Sequence, residues 1–359
     1  MRKMKNGDPK GQQMLIEKVL NKGICVKCGA CVGLCPYFSY WDGQVVALDA
    51  CQAETWRCLQ YCPRADYEGT ALWGSGSQKE GAIGPIKEIW AARAADLQSR
   101  ELGQYGGVVS SLLVFAMKKN FIRSAVVTDA GNARPSPSGR LAKSPAEILE
   151  CSGSRYAAAG SLATLNQAVD RGEDRIGVVG LPCQMEALER MARSGSDAVE
   201  RTKRVKLKIG LFCTWALDHR MLKKFLEARS IDGPVRKFDI PPPPAEVFML
   251  LTQSGWIRIP LGEVRNLVQK GCGLCADMTA EWADISVGAV EGRNNWNTVI
   301  VRTKTGAKLF KEAVDEGAIE VEELPRENLD HLKEAASNKR KRAETARRNG
   351  QEGHDEGDQ

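Results

Sequence analysis

Four cysteines stand in one short run, Cys25-Val26-Lys27-Cys28-Gly29-Ala30-Cys31-Val32-Gly33-Leu34-Cys35, and Pro36 follows the last. Three thiolates at x2, x2 spacing wrap one 4Fe–4S cluster. The fourth, x3 further on, reaches a second cluster, and the proline turns the chain away. A structural zinc knot or spare thiols are the competing readings. Zinc knots favour separate pairs of Cys-x2-Cys or added histidine, which makes zinc the weaker reading. If the chain carries single electrons, the rest of it is their source or destination.

A second group follows, Cys51, Cys58 and Cys62-Pro63. Cys58-x3-Cys62-Pro63 copies the closing half of a ferredoxin run. Its opening half is altered, because Gln52 and Thr55 occupy the expected ligand spacings. In the two-cluster arrangement Cys62 completes the cluster of Cys25, Cys28 and Cys31. Cys35, Cys51 and Cys58 then serve a second cluster whose fourth ligand is open to Cys151, Asp49 or Glu54. A buried apolar thiol is the other reading of Cys51. Residues 1–66 are expected to form a bacterial-ferredoxin-like module, and Gly/Ser-rich residues 67–85 a linker.

Twelve cysteines is high for 359 residues, and they are grouped. The first twenty residues are polar and charged, with no apolar h-region. Metal-bound thiolates in a reducing cytoplasm are therefore expected rather than disulfides. The longest apolar run, Gly106 to Met117, is too short to span a bilayer. The net charge of +6 is mild, and no aromatic residues interleave with the Lys/Arg-rich run of the C-terminal segment, so nucleic-acid binding is not expected. The three histidines, His219, His331 and His354, give little basis for histidine acid–base or zinc chemistry. The Gly-x-Gly-x-x-Gly fingerprint of a nicotinamide site is missing.

From residue 86 the pattern becomes alternating strand and helix, which argues for an α/β body with a mainly parallel sheet. Gly106-Gly107 precedes a helix over Val108–Met117. Ala125–Thr128 reads as a buried strand. Ser144-Pro145-Ala146-Glu147 supplies an N-cap, a first-turn proline and a capping-box glutamate, and Ser161 opens another helix. Two strand–helix units follow: Ile176–Val179 with a helix from Met185, and Val205–Leu211 with a helix from Asp218. Cys183 and Cys213 fall at the carboxyl ends of these strands, the edge where ligands gather in such sheets. Beyond them, Glu246–Leu251 and Trp256–Leu261 read as a hairpin. Cys272-Gly273-Leu274-Cys275 is competent for half of a tetrahedral sulfur site, with Cys183 and Cys213 as the available partners. Asn297–Thr303 is a strand with a helix after Gly306. Residues 326–359, with Lys339-Arg340-Lys341-Arg342, are expected as an exposed charged helix with a disordered end, or as a docking strip for an acidic partner.

Taken in order, these pieces resemble the family of coenzyme F420 hydrogenase/dehydrogenase β subunits. The matching stretches are the N-terminal cysteine run, Gly106-Gly107-Val108-Val109-Ser110, Gly153-Ser154-Arg155-Tyr156, Leu181-Pro182-Cys183-Gln184, Ile209–Cys213, Cys272–Asp277, Ala283–Gly288 and Thr298–Thr303. The resemblance implies FAD in residues 86–325, with Gly106, Gly107, Ser110, Ser154, Arg155 and Gln184 as its contacts. It also implies a 4Fe–4S cluster held by Cys183, Cys213, Cys272 and Cys275. It further implies coenzyme F420, or an analogous hydride donor or acceptor, as substrate, and a redox partner subunit of hydrogenase, dehydrogenase or heterodisulfide-reductase type. Asn294-Asn295-Trp296 departs from the family's glycine-containing approach to the last strand and leaves the substrate open. A relay subunit that carries clusters without turning over a substrate is the alternative function.

Overall fold

The computed structural model describes residues 11–51, 53, 56–65, 81–129, 137–195, 198–231, 233–241 and 245–355, with side chains as far as Asn349. The N-terminal segment begins with α1 (Gly11–Leu15), continued by a π turn over Ile16–Leu20. After the cysteine run come a hairpin of β1 (Phe38–Trp41) and β2 (Gln44–Ala47) and a short helix α2 (Arg57–Tyr61). The body runs through β3 (Glu88–Ala94), α3 (Leu97–Leu102), α4 (Val108–Lys118), β4 (Ser124–Thr128), β5 (Gly139–Ala142), α5 (Pro145–Glu150), α6 (Ser161–Asp170), β6 (Ile176–Gly180), α7 (Pro182–Arg193), α8 (Ala198–Lys203), β7 (Val205–Leu211) and α9 (His219–Glu227). Then follow β8 (Lys237–Asp239), β9 (Val247–Thr252), β10 (Gly255–Pro260), α10 (Leu261–Arg265), a 3-10 turn over Lys270–Leu274, β11 (Ile285–Ala289), β12 (Asn297–Val301), α11 (Lys304–Asp315), β13 (Ile319–Glu322) and α12 (Arg326–Asp355).

Eight strands form one sheet in the order β13-β3-β12-β11-β7-β6-β4-β5. Its centre, β11-β7-β6-β4, is parallel, with Ser286 opposite Gly210 and Val179 opposite Ile209. Here strand and helix alternate along the chain, and crossover helices impose parallel pairing. The flanking strands join antiparallel. Both faces are covered. Leu112, Leu113, Phe115, Leu309 and Phe310 pack on one, and Leu162, Leu165, Met185, Leu188 and Met191 on the other. Two-sided burial is why β4, β6 and β12 read as continuous apolar runs rather than alternating ones. Strand β3 carries no such signal, since Ala91-Ala92-Arg93-Ala94 consists of good helix formers. Its place between β12 and β13 makes it a strand.

The expected hairpin is β9–β10, which with β8, α9 and α10 encloses a smaller core of Leu217, Phe248, Leu250, Ile259 and Val264. Two expectations at the margins change. Residues 67–80 of the expected linker lie outside the described residues, but its end is tied down. Ile83 is buried, and its carbonyl accepts from Thr279 Oγ1 at 3.0 Å and Arg302 Nη1 at 2.9 Å. The C-terminal helix is not a solvated strip: Ala336, Lys339 and Ala343, on one helical face, are buried. The chain end beyond Asp355 lies outside the described residues. Among the described residues no helix is long and apolar enough to cross a membrane.

Candidate functional site

Strands β6 and β7 lie side by side, so the turns after them open at one edge of the sheet. The first turn enters α7, whose second residue is Cys183. The second carries Cys213, whose N–H donates to Met278 O at 2.9 Å. That bond ties the segment following Cys275 to the same edge. Cys272 and Cys275 sit on and just after the 3-10 turn. The result is one small cavity lined by Cys183, Cys213, Cys272 and Cys275, together with Val26, Arg64 and Lys339. Residues far apart in the chain thus share one wall. Ala216 N–H donates to Cys272 Sγ at 3.3 Å. Burial pushes the Cys183 and Cys272 thiols up, and Cys213 up to about 12. Buried thiols of this kind are poor free nucleophiles and ionise when a metal centre takes them.

A neighbouring small cavity is lined by Cys25, Cys28, Cys31 and Cys62, with Leu15, Val19, Val45 and Val26. Cys62 thus lines the same cavity as the first three cysteines. Lys27 N–H donates to Cys25 Sγ at 3.4 Å. Burial raises all four thiols, Cys28 to about 12. Val26 lines both cavities. Arg64 lies between them: its positive charge opposes the burial of Cys25, Cys28 and Cys62 on one side and of Cys183 and Cys272 on the other.

The remaining thiols form a looser group. Cys58 is pushed up to about 11 by burial, then by its neighbours Cys35 and Cys51. Gln12 fixes the Cys51 turn, accepting from Cys51 N at 2.7 Å and donating to Asp49 O at 2.8 Å. Of the candidates for a fourth ligand, Glu54 lies outside the described residues. Cys151 packs in the core between the sheet and α4, with Arg140, Asp129 and Arg155 as its charged neighbours. Among the described residues, no three His, Cys, Asp or Glu side chains close on the position of a single ion.

Five of the six expected flavin contacts lie on the α4 start or on the segment beside it. Gly107 has φ +70, and a Cβ there would collide with Ser99 O; a Cβ on Gly106 would lie 2.7 Å from Asn297 Oδ1. Ser110 Oγ and Ser152 Oγ are 2.7 Å apart. Arg155 reaches back to Ser154 O and Ser152 O at 3.1 and 3.5 Å, and its Nε is buried with no hydrogen-bond partner among the described residues. Gln184 lies elsewhere. Its Oε1 accepts from Leu181 N and its Nε2 donates to Ala159 O, both at 2.8 Å. It therefore braces the turn that carries Cys183. Ala158, which lines the cavity of Cys183, Cys213, Cys272 and Cys275, is three residues from Arg155, so their Cα atoms are at most about 10 Å apart.

Family models match the chain twice: the N-terminal part of the coenzyme F420 hydrogenase/dehydrogenase β subunit over residues 89–166, and its C-terminal part over 173–327. Coenzyme F420 hydrogenase subunit beta from Methanothermobacter thermautotrophicus is 31% identical over 73% of this chain and 94% of its own length. The chain belongs to the family of coenzyme F420 hydrogenase/dehydrogenase β subunits. A subunit of F(420)H(2) dehydrogenase from Methanosarcina mazei is 26% identical, over 91% of this chain and 92% of its own length. Among solved structures, a chain of the F420-reducing [NiFe] hydrogenase complex from Methanosarcina barkeri superposes with a TM-score of 0.68. It is 27% identical and covers 74% of this chain and 92% of that one.

The family-matched residues contain the inner four cysteines and all six expected flavin contacts. The N-terminal cysteines, Arg64 and Lys339 lie outside them. Arg64 and Lys339 line the inner cavity, yet no local pattern marks either. Arg64 is a lone arginine after Cys62-Pro63, and Lys339 is one of four consecutive cations. Lys27 and Asn166 were also missed. Lys27 Nζ pairs with Asp218 at 2.5 Å, and Asn166 Nδ2 donates to Ala30 O and Val32 O at 3.2 and 2.7 Å. Together they clamp the cysteine run onto the body.

Proposed function

We propose that this chain is an iron–sulfur flavoprotein oxidoreductase that moves electrons between coenzyme F420, or an analogous hydride carrier, and a partner redox protein. The observation that carries the reading is the convergence of Cys183, Cys213, Cys272 and Cys275 on one cavity, next to a second cavity lined by Cys25, Cys28, Cys31 and Cys62. All-sulfur donor sets suit iron–sulfur clusters and zinc. The x2, x2 run with its crossed fourth cysteine favours 4Fe–4S. In this reading the two sets of four hold one cluster each, and Cys35, Cys51 and Cys58 supply three ligands of a third. FAD, when bound, exchanges a hydride with the carrier and single electrons with iron–sulfur centres.

The chain's own residues position and tune. Arg155 offsets flavin pyrophosphate charge by bidentate hydrogen bonding, which its unpartnered Nε supports. Gly106, Gly107, Ser110 and Ser154 admit the cofactor at the start of α4, and Gln184 holds the Cys183 turn. N–H donors from Lys27 and Ala216 to cysteine sulfur stabilise the thiolate form and shift cluster potential. Val26 and the apolar walls exclude water between the two sites. The coenzyme and the partner subunit are carried over from the named relatives, and a reducing cytoplasmic setting is inferred from the grouped cysteines.

Anaerobic reduction of the purified protein by reduced F420, compared with NADH and NADPH, tests this. Flavin bands and cluster absorption that bleach with reduced F420 support it. Bleaching by a nicotinamide alone removes the F420 assignment, and a spectrum without flavin leaves the relay function. Cys183→Ala removes one cluster's iron and sulfide in this reading; full retention of both refutes the inner site. Full FAD retention by Arg155→Ala through gel filtration refutes the role of Arg155.

A further inference from the structure

Two buried cations reach the inner four-cysteine cavity, and neither belongs to the residues that the family models match. Arg64 arrives from the N-terminal segment and Lys339 from α12, and both line the cavity. Lys339 is 3% exposed, and its Nζ donates to Cys213 O at 2.5 Å. Arg64 is 7% exposed. Its Nε donates to Gly271 O at 2.8 Å and its Nη1 to Pro63 O at 2.5 Å, while its Nη2 is buried with no hydrogen-bond partner among the described residues.

Cations are not buried this way without compensation. The nearby carboxylates are already shared. Glu186 lies 3.7 Å from Arg64 and pairs more closely with Arg190 at 2.8 Å. Asp277, the acidic neighbour of Lys339, also faces Arg302. Positive charge therefore remains at the wall of a cavity walled by four thiols. A four-thiolate cluster is anionic and becomes more so on reduction, and net charge with hydrogen bonds to sulfur sets its potential.

We propose that Arg64 and Lys339 are positioning residues that compensate the charge of the inner cluster, Arg64 Nη2 donating to sulfur, and so raise its reduction potential. The inference rests on the cluster proposed above. Its consequence is that two segments outside the family-matched body set the potential of a site whose ligands all lie within it. One segment also carries the adjacent cysteine cavity, so docking of that segment and tuning of the inner site occur together.

The test is a potentiometric titration of the full chain followed by EPR. The inner cluster is the signal that Cys183→Ala removes. Arg64→Met and Lys339→Met are each expected to shift its one-electron equilibrium at least tenfold toward the oxidised state, about 59 mV lower in midpoint. Lys339→Arg, which keeps the charge, is expected to restore most of the shift. An unmoved midpoint in both Met variants with iron retained overturns the inference and leaves the cluster standing. If the Met variants lose inner iron, the charge-keeping Arg64→Lys and Lys339→Arg decide. Retained iron in these supports the compensating role, and equal loss overturns it. If Cys183→Ala removes no signal, the cluster reading itself fails.

Discussion

Gly271 and Gly273 flank Cys272 in one turn, and only one of them touches the N-terminal segment. A Cβ on Gly271 would land on Ile24 O, 2.8 Å from Ile24 C and 2.9 Å from Val26 Cγ1, whereas a Cβ on Gly273 meets nothing within 4 Å. Neither glycine has a left-handed φ, so alanine is conformationally allowed at both, and space alone separates them. Gly273→Ala is expected to be neutral or to stabilise by about 0.4–1 kcal/mol through the unfolded chain. Gly271→Ala must push backbone against backbone, an overpacking cost of about 1–3 kcal/mol. The same displacement loosens the 2.8 Å bond from Arg64 Nε to Gly271 O, and a hydrogen bond to a charged group contributes about 1.5–3 kcal/mol. The two variants should therefore differ by about 2.5–6 kcal/mol. Urea unfolding of the anaerobic protein followed by far-UV circular dichroism measures the gap, and iron per chain shows whether the inner site loosens with it. If the variants unfold within about 0.5 kcal/mol of each other, the range of ordinary surface changes, the N-terminal segment is not docked on the Cys272 turn as described.

Asn166→Ala strands two carbonyls of the cysteine run, Ala30 O and Val32 O. It should cost about 2–4 kcal/mol and lower N-terminal iron while the Cys183-dependent signal persists; equal loss of both signals would contradict the local role. Asp239 is held above the usual carboxylate range by burial, even though Tyr105 and Gln104 donate to it at 3.0 and 2.7 Å. A raised carboxyl contributes stability that is complete below its unfolded value and is lost as pH rises through its folded value. Asp239→Asn should thus gain stability relative to wild type as pH climbs upward from the ordinary carboxylate value; parallel pH profiles would show that the carboxyl ionises freely.

The sequence alone determined the local chemistry. Cysteine spacing and a following proline are short-range properties, so the expectation that Cys62 lies with Cys25, Cys28 and Cys31 rather than with Cys58 could be formed from them, and these four line one cavity. The same holds for the helix starts at Ser144 and Asp218, each with a side-chain cap, and for apolar strands buried on both faces. Only the tertiary structure decided what these pieces meet. Cys183, Cys213 and the Cys272–Cys275 pair converge because β6 and β7 are sheet neighbours and Cys213 N–H binds Met278 O, pairings that no local pattern encodes. Cys151, equally isolated in sequence, goes into the apolar core instead. A charge run reads as solvated by default, yet α12 buries the single face that carries Lys339, while Arg64 is buried by contacts more than a hundred residues away. Propensity and spacing act over a few residues, whereas the burial of a cation beside four thiols depends on which surfaces the folded chain brings together.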